Sequence, residues 1–246
     1  MRSPLRFFAT AFSLSIVFLA NITRAQFTNA VDQASNYGGA GEPAFSGGNS
    51  AGSGFGNWSF NSFNGGGFIG NPSAASITGM NSESFGLWAN SGTGNYVNVD
   101  RSLSTAMGVG DVFSFQWGIN WDSASGSKGF NLYTGGTGGT QVINVNNGGN
   151  QDITINSANT TFGYGTAVMT WTFNYVNATT LRVTANDRDG TGTYSNNFTV
   201  SGGIDAFRWY ASSLGTDNRQ PYFNSLLSTN SGVFTQGGTV TNNFIS

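Results

Sequence analysis

Large apolar side chains fill alternate positions across residues 112–121: Phe113, Phe115, Trp117, Ile119 and Trp121 share one phase, while Ser114, Gln116, Gly118 and Asn120 share the other. A period of two belongs to a pleated strand with one buried face, and a helix would scatter these side chains around its circumference. The pattern returns at 168–175, where Met169, Trp171, Phe173 and Tyr175 oppose Val168, Thr170, Thr172 and Asn174. Leu181, Val183 and Ala185 alternate with Arg182 and Thr184, and Phe207, Trp209 and Ala211 alternate with Arg208 and Tyr210. Shorter strands are predicted at 84–89, 96–103, 129–133, 142–145, 153–155, 193–200, 222–227 and 239–245. Gly-rich and Asn-rich turns such as Asp189-Gly190 separate them. The fold class this implies is all-β, a two-sheet antiparallel sandwich of jelly-roll type in a single domain. Trp117, Trp171 and Trp209 are in phase with apolar neighbours and belong to its core.

The first 25 residues read as a secretory signal. Arg2 and Arg6 precede an apolar run, and Ala25 offers a small residue for cleavage before Gln26. The expected organisation is therefore a signal peptide at 1–25 and one β-sandwich domain at 26–246. No later run approaches a membrane span, so the mature chain is expected to be secreted, with no transmembrane segment. It contains no cysteine, so the fold rests on its core rather than on disulfides. Without Arg2, Arg6 and Arg24, six basic residues face eleven acidic ones, a net charge of −5 with no basic cluster. That composition excludes a nucleic-acid partner. The Gly/Ser-rich stretch at 37–56 is flanked by Tyr37, Phe45, Phe55 and Trp58, which favours ordered, loop-rich packing over a linker.

Several segments together resemble a family. SGFGNWS at 53–59, GFIG at 67–70, SFGLWANS at 84–91, DRSL at 100–103, VGDVFSF at 109–115, GIDAFR at 203–208 and PYFN at 221–224 are similar to secreted bacterial proteins with a concanavalin A-like (LamG-like) jelly roll. Proteins of that kind often end in a PEP-CTERM sorting tail. The Pro-Glu-Pro tripeptide, span and basic end of such a tail are absent here, which points to free secretion. The resemblance implies the fold, and its wider group includes lectins, glucanases and plain surface modules.

Enzyme chemistry has little to work with. There is no histidine, Glu42 and Glu83 are the only glutamates, and no strand carries the paired carboxylates that a glycosidase needs. Asp187-Arg188-Asp189-Gly190 matches the opening of a calcium loop, with Asn186 and Thr191 as further oxygens but no bidentate Glu, and the Asp-Gly step favours a polar hairpin turn there. For a glycan partner the candidates are Trp121 and Tyr133 as stacking platforms, Asp122 and Asn131 as hydrogen-bonding neighbours, and Tyr210 on the polar phase of its strand. Aromatic faces stack on sugar C–H groups while carboxylates and amides bond the hydroxyls. The expected function is a secreted, non-catalytic extracellular module that is glycan-binding or cell-surface associated, with a glycan-degrading enzyme the weakest of the readings. A self-associating matrix protein is the alternative, because the mature chain has only Lys128 to guard its sheet edges.

Overall fold

Alternation turns into architecture in the computed structural model, which describes residues 26–120, 126–148, 152–215 and 219–231. In chain order the strands are β1 (Gln26–Asp32), β2 (Ser59–Phe63), β3 (Gly65–Gly70), β4 (Ser84–Ala89), β5 (Tyr96–Ser102), β6 (Asp111–Gly118) and β7 (Ser127–Thr134). There follow β8 (Thr140–Gly148), β9 (Thr154–Ile155), β10 (Ala158–Asn159), β11 (Met169–Asn177), β12 (Thr180–Asn186), β13 (Thr193–Thr199), β14 (Ala206–Ser212) and β15 (Tyr222–Ser231). Two short 3-10 turns, Ala34–Asn36 and Pro72–Ala75, interrupt the loops between strands. The strand expected at 239–245 and the signal segment lie outside the described residues, as do Trp121 and Asp122.

The strands form two antiparallel sheets. The first has eight strands in the order β13-β12-β11-β6-β15-β4-β3, with β1 also paired to β15. The second has seven, in the order β10-β9-β8-β7-β14-β5-β2. Successive strands repeatedly change sheet, as from β4 to β5, β5 to β6, β6 to β7 and β13 to β14, and this makes a jelly-roll sandwich rather than two separate meanders.

Phe113, Phe115, Trp117 and Ile119 are all buried on one face, as their spacing predicts. They meet the inward residues of the second sheet. Phe115 packs edge-on against Phe130 of β7 at 4.8 Å between ring centres, and Trp209 of β14 stacks on Phe223 of β15 at 4.4 Å and 8°. Edge-to-face and offset pairs of this kind contribute about 0.5–1.5 kcal/mol each beyond their buried area. The indole N–H groups of Trp117, Trp171 and Trp209 are buried without a hydrogen-bond partner among the described residues. Each such group costs on the order of 1–3 kcal/mol, which the buried indole area offsets.

The stretch at 37–56 packs into this core. Tyr37, Phe45, Phe55 and Trp58 are buried, and Phe45 lies 4.7 Å from Phe85 while Trp58 lies 5.1 Å from Trp209. Arg101 occupies a core-facing position of β5 among these rings. Its guanidinium lies 4.7 Å from the Phe55 ring centre and 4.3 Å from that of Trp58, and it pairs with Asp32 at the end of β1. Tyr37 also donates to Asp32 at 2.5 Å and receives a bond from the Trp58 indole at 2.9 Å. Burial, and the bond to Asp32, push the Tyr37 hydroxyl above the ordinary tyrosine pKa.

Candidate functional site

The outward face of the seven-stranded sheet is where polar chemistry collects. On β7, β14 and β5 the inward phase carries Phe130, Leu132, Phe207, Trp209, Val97 and Val99, all fully buried. The outward phase is set in rows by the antiparallel register. One row runs Ser59, Asp100, Arg208, Asn131, Asn144, and the next runs Asn61, Asn98, Tyr210, Gly129, Asn146. A third row runs Ser102, Ala206, Tyr133, Gln141. Directly opposed residues in an antiparallel pair have Cβ atoms about 4.5–5.5 Å apart, so side chains along a row can interact.

At the centre Arg208 grips Asp100 with two bonds, Nε to Oδ1 at 2.6 Å and Nη2 to Oδ2 at 2.7 Å. The carboxylate raises the guanidinium pKa above its ordinary value, against the opposing effect of partial burial. Arg208 also lies over the Tyr133 ring, 5.7 Å from its centre. Tyr133 is only 5% exposed and receives a bond from Asn131 Nδ2 at 3.0 Å, while Asn131 in turn accepts from Asn144 Nδ2 at 2.7 Å. The Tyr133 ring therefore supports the row beneath Arg208.

Tyr210 crosses the sheet above Gly129. A Cβ on Gly129 would lie 1.9 Å from the Val145 carbonyl and 2.7 Å from the Tyr210 hydroxyl, so only glycine leaves room for the ring. The hydroxyl donates to Asn146 Oδ1 at 2.8 Å, with the Val145 carbonyl 3.0 Å away, and lies 3.4 Å from Asn144 Nδ2. Burial pushes its pKa well above the ordinary tyrosine value, so it stays protonated.

Beside these rows lies a cleft of about 230 Å³ lined by Asn57, Ser59, Asp100, Ser102, Thr137 and Ala206, together with Arg101 and Gly136. Its outer wall is the tip of the β7–β8 hairpin. Asp205 holds that tip through the backbone N–H groups of Gly135 (3.1 Å) and Gly136 (2.9 Å), while the Asp205 N–H donates to the Tyr133 carbonyl at 3.1 Å. Asp100 is the one acidic residue lining the cleft among the described residues. The rest of its polar lining is hydroxyl, amide and backbone, apart from Arg101, whose guanidinium is committed to Asp32 on the inner side.

Of the residues singled out from sequence, Asn131, Tyr133 and Tyr210 meet on this face, but Tyr133 and Asn131 are buried and Arg208 covers the Tyr133 ring, so that ring is not the open stacking platform expected; Trp121 and Asp122 lie outside the described residues. Ser59, Asp100, Ser102 and Thr137 were not singled out. Each is ordinary for a strand or turn, and only the register of β2, β5 and β14 brings them together.

Asp187 and Asp189 belong to the β12–β13 hairpin, away from this face. The turn closes by Gly190 N to Asp187 O at 3.1 Å and Asp187 N to Gly192 O at 2.9 Å, with Gly190 at φ +81°, the left-handed region that glycine adopts freely. Asp189 Oδ1 accepts from the Thr191 N–H and hydroxyl, both at 2.8 Å, and these bonds hold its pKa below the ordinary carboxylate value. Among the described residues no three acidic, histidine or cysteine side chains gather as a metal site.

No family model matches the chain, and no curated protein matches it. Three similar solved structures are the carbohydrate recognition domain of Emp46p in metal-free form, the cellulose induced protein Cip1, and arcelin-5, a lectin-like defense protein from Phaseolus vulgaris. The Emp46p domain is 11% identical with a TM-score of 0.38, over 72% of this chain and 88% of that one. Cip1 is 13% identical with a TM-score of 0.43, over 71% and 91%. Arcelin-5 is 11% identical with a TM-score of 0.38, over 70% and 97%.

Proposed function

We propose that this protein is an exported, non-catalytic carbohydrate-binding module whose ligand sits in the cleft at Ser59, Asp100, Ser102 and Thr137, beside the amide and tyrosine rows. The observation that carries this reading is the Asp100–Arg208 pair at the cleft wall. Two bonds fix the carboxylate, neutralise it, and leave each oxygen with a spare lone pair for a ligand hydroxyl. Three neutral hydroxyls and the Asn57 amide complete a surface that both donates and accepts, which suits a polyol. An anionic ligand would meet a carboxylate with its cation already engaged. Hydrolysis of a glycosidic bond needs a second carboxylate across the groove, and among the described residues the cleft lining has Asp100 alone.

The cleft is smaller than the roughly 300–1,000 Å³ of pockets for drug-sized ligands, so it suits one or two sugar rings of a longer chain. Affinity per site should be weak, roughly millimolar to high micromolar, because association entropy consumes most of so small a contact. The exported state rests on the signal-like residues 1–25 and is tested by recovering Gln26 as the first residue of protein from the medium.

Retention on insoluble polysaccharides tests the reading. Thr137→Trp at the hairpin tip fills the cleft from above, and retention should fall at least tenfold with an unchanged melting temperature. Retention that survives Thr137→Trp, or no retention of the wild type on any polysaccharide, overturns it.

A further inference from the structure

Among the described residues the eight-stranded sheet ends at β13, and the backbone there is ready for another strand. Residues Thr193 to Thr199 pair with β12 without a bulge, and five of the seven are exposed. Tyr194 and Phe198, the other two, are half-buried at the rim of the core. The strand TYSNNFT contains no charge and no proline, so it lacks the usual guards against edge pairing. Nor does lysine guard another edge: Lys128, the single lysine of the chain, is 1% exposed in the interior strand β7.

We infer that β13 pairs with β13 of a second copy of this chain, antiparallel about a two-fold axis through Asn196. In that register Asn196 faces Asn196, Ser195 faces Asn197, Tyr194 faces Phe198 and Thr193 faces Thr199. The Ser195–Asn197 and Thr193–Thr199 pairs lie on the outward face, while on the inward face Asn196 meets Asn196 between two Tyr194–Phe198 pairs that extend the rim of each core. No like charges oppose one another, and the interface is isologous, as a two-fold dimer requires. The other sheet ends are also uncharged but worse suited: β10 has two residues, β3 is half-buried at every position, and β2 mispairs. β2 has five residues, and pairing about Asn61 would set Ser59 against Phe63 and Phe60 against Ser62, polar against aromatic throughout.

Two copies joined this way form one continuous sheet and carry two seven-stranded faces. Any ligand of that face would then be bound twice, with the gain in avidity that tethering gives. The dimer does not rest on the carbohydrate reading, and each can fail without the other.

The register makes the test specific, because position 196 meets itself. Sedimentation of the mature chain over a concentration series should show a reversible dimer. Asn196→Lys alone and Asn196→Asp alone should each weaken it at least tenfold, by placing like charges opposite each other on an exposed strand that tolerates them in the monomer. Mixing the two variants should restore a heterodimer. Asn196→Cys, in a chain with no other cysteine, should oxidise to a covalent dimer, since directly opposed Cα atoms at about 4.5–5.5 Å are within disulfide reach. A wild type that remains monomeric at the highest concentration reached overturns the inference. So does a dimer that Asn196→Lys leaves intact, or a mixture that fails to re-associate while circular dichroism shows both variants folded.

Discussion

Arg101 and Asp32, 69 residues apart in sequence, form an ion pair with both side chains fully removed from solvent. The pair ties β1 to β5, and so links the eight-stranded sheet to the seven-stranded one. Arg101 also bonds the Gly56 carbonyl at 2.8 Å and Ser50 Oγ at 2.7 Å, which fixes the loop between them.

Breaking that pair from one side should be costly. Asp32→Leu leaves the Arg101 charge buried without its partner, and urea unfolding should show a loss of about 3–5 kcal/mol. The double variant Asp32→Leu/Arg101→Leu removes both charges and should lose less than the single one. A double variant at least as unstable as the single one would contradict this account of the pair.

The central aromatic layer predicts a second cost. Phe115 is fully buried and packs with Phe130, Phe173 and Phe223 from three other strands. Phe115→Ala should destabilise by about 3–5 kcal/mol. A loss below about 1 kcal/mol would mean the two sheets do not meet through this ring.

Fold and site were legible to different depths. Wherever one face of a strand is aromatic and the other polar, as in β6, β11 and β14, the period of two reads directly from sequence. β1 and β3 escaped because QFTNAVD and GGGFIG lack that contrast, and their pairing comes from β15 and β4 instead. Arg101 shows the same limit in reverse: a charged residue on the inward phase of β5 reads as an interruption until its partner is known. The cleft was invisible for a further reason. Ser59, the Asp100 and Ser102 of β5, and Thr137 come from three separate segments and form no motif with one another, so only strand register assembles them.

Alkaline pH should unfold the protein through its buried tyrosines. Tyr37 and Tyr210 have folded pKa values raised above the ordinary value of 10.0, so the stability they contribute is complete below pH 10 and is lost as pH rises through their folded values. The melting temperature should fall steeply above pH 10, and Tyr210→Phe should flatten the fall. Tyrosine absorbance showing both groups ionising at the ordinary value in folded protein would contradict their burial.

Chelators should leave the melting temperature unchanged. The Asp189 carboxylate accepts from Thr191 and the backbone of Asp187 closes the hairpin, which favours a turn over a cation site at β12–β13. A chelator-dependent drop that Asp189→Asn abolishes would instead assign it to a cation.

The most direct test of the carbohydrate reading is a nuclear magnetic resonance titration of isotope-labelled protein with oligosaccharides cut from a polysaccharide that retains it. The backbone amides of Ser59, Asp100, Ser102, Gly136 and Thr137 should shift together and saturate along one binding curve, with Asn131 and Tyr210 following. Shifts confined to other surfaces, or no saturable shift with any oligosaccharide, would contradict the assignment of this face.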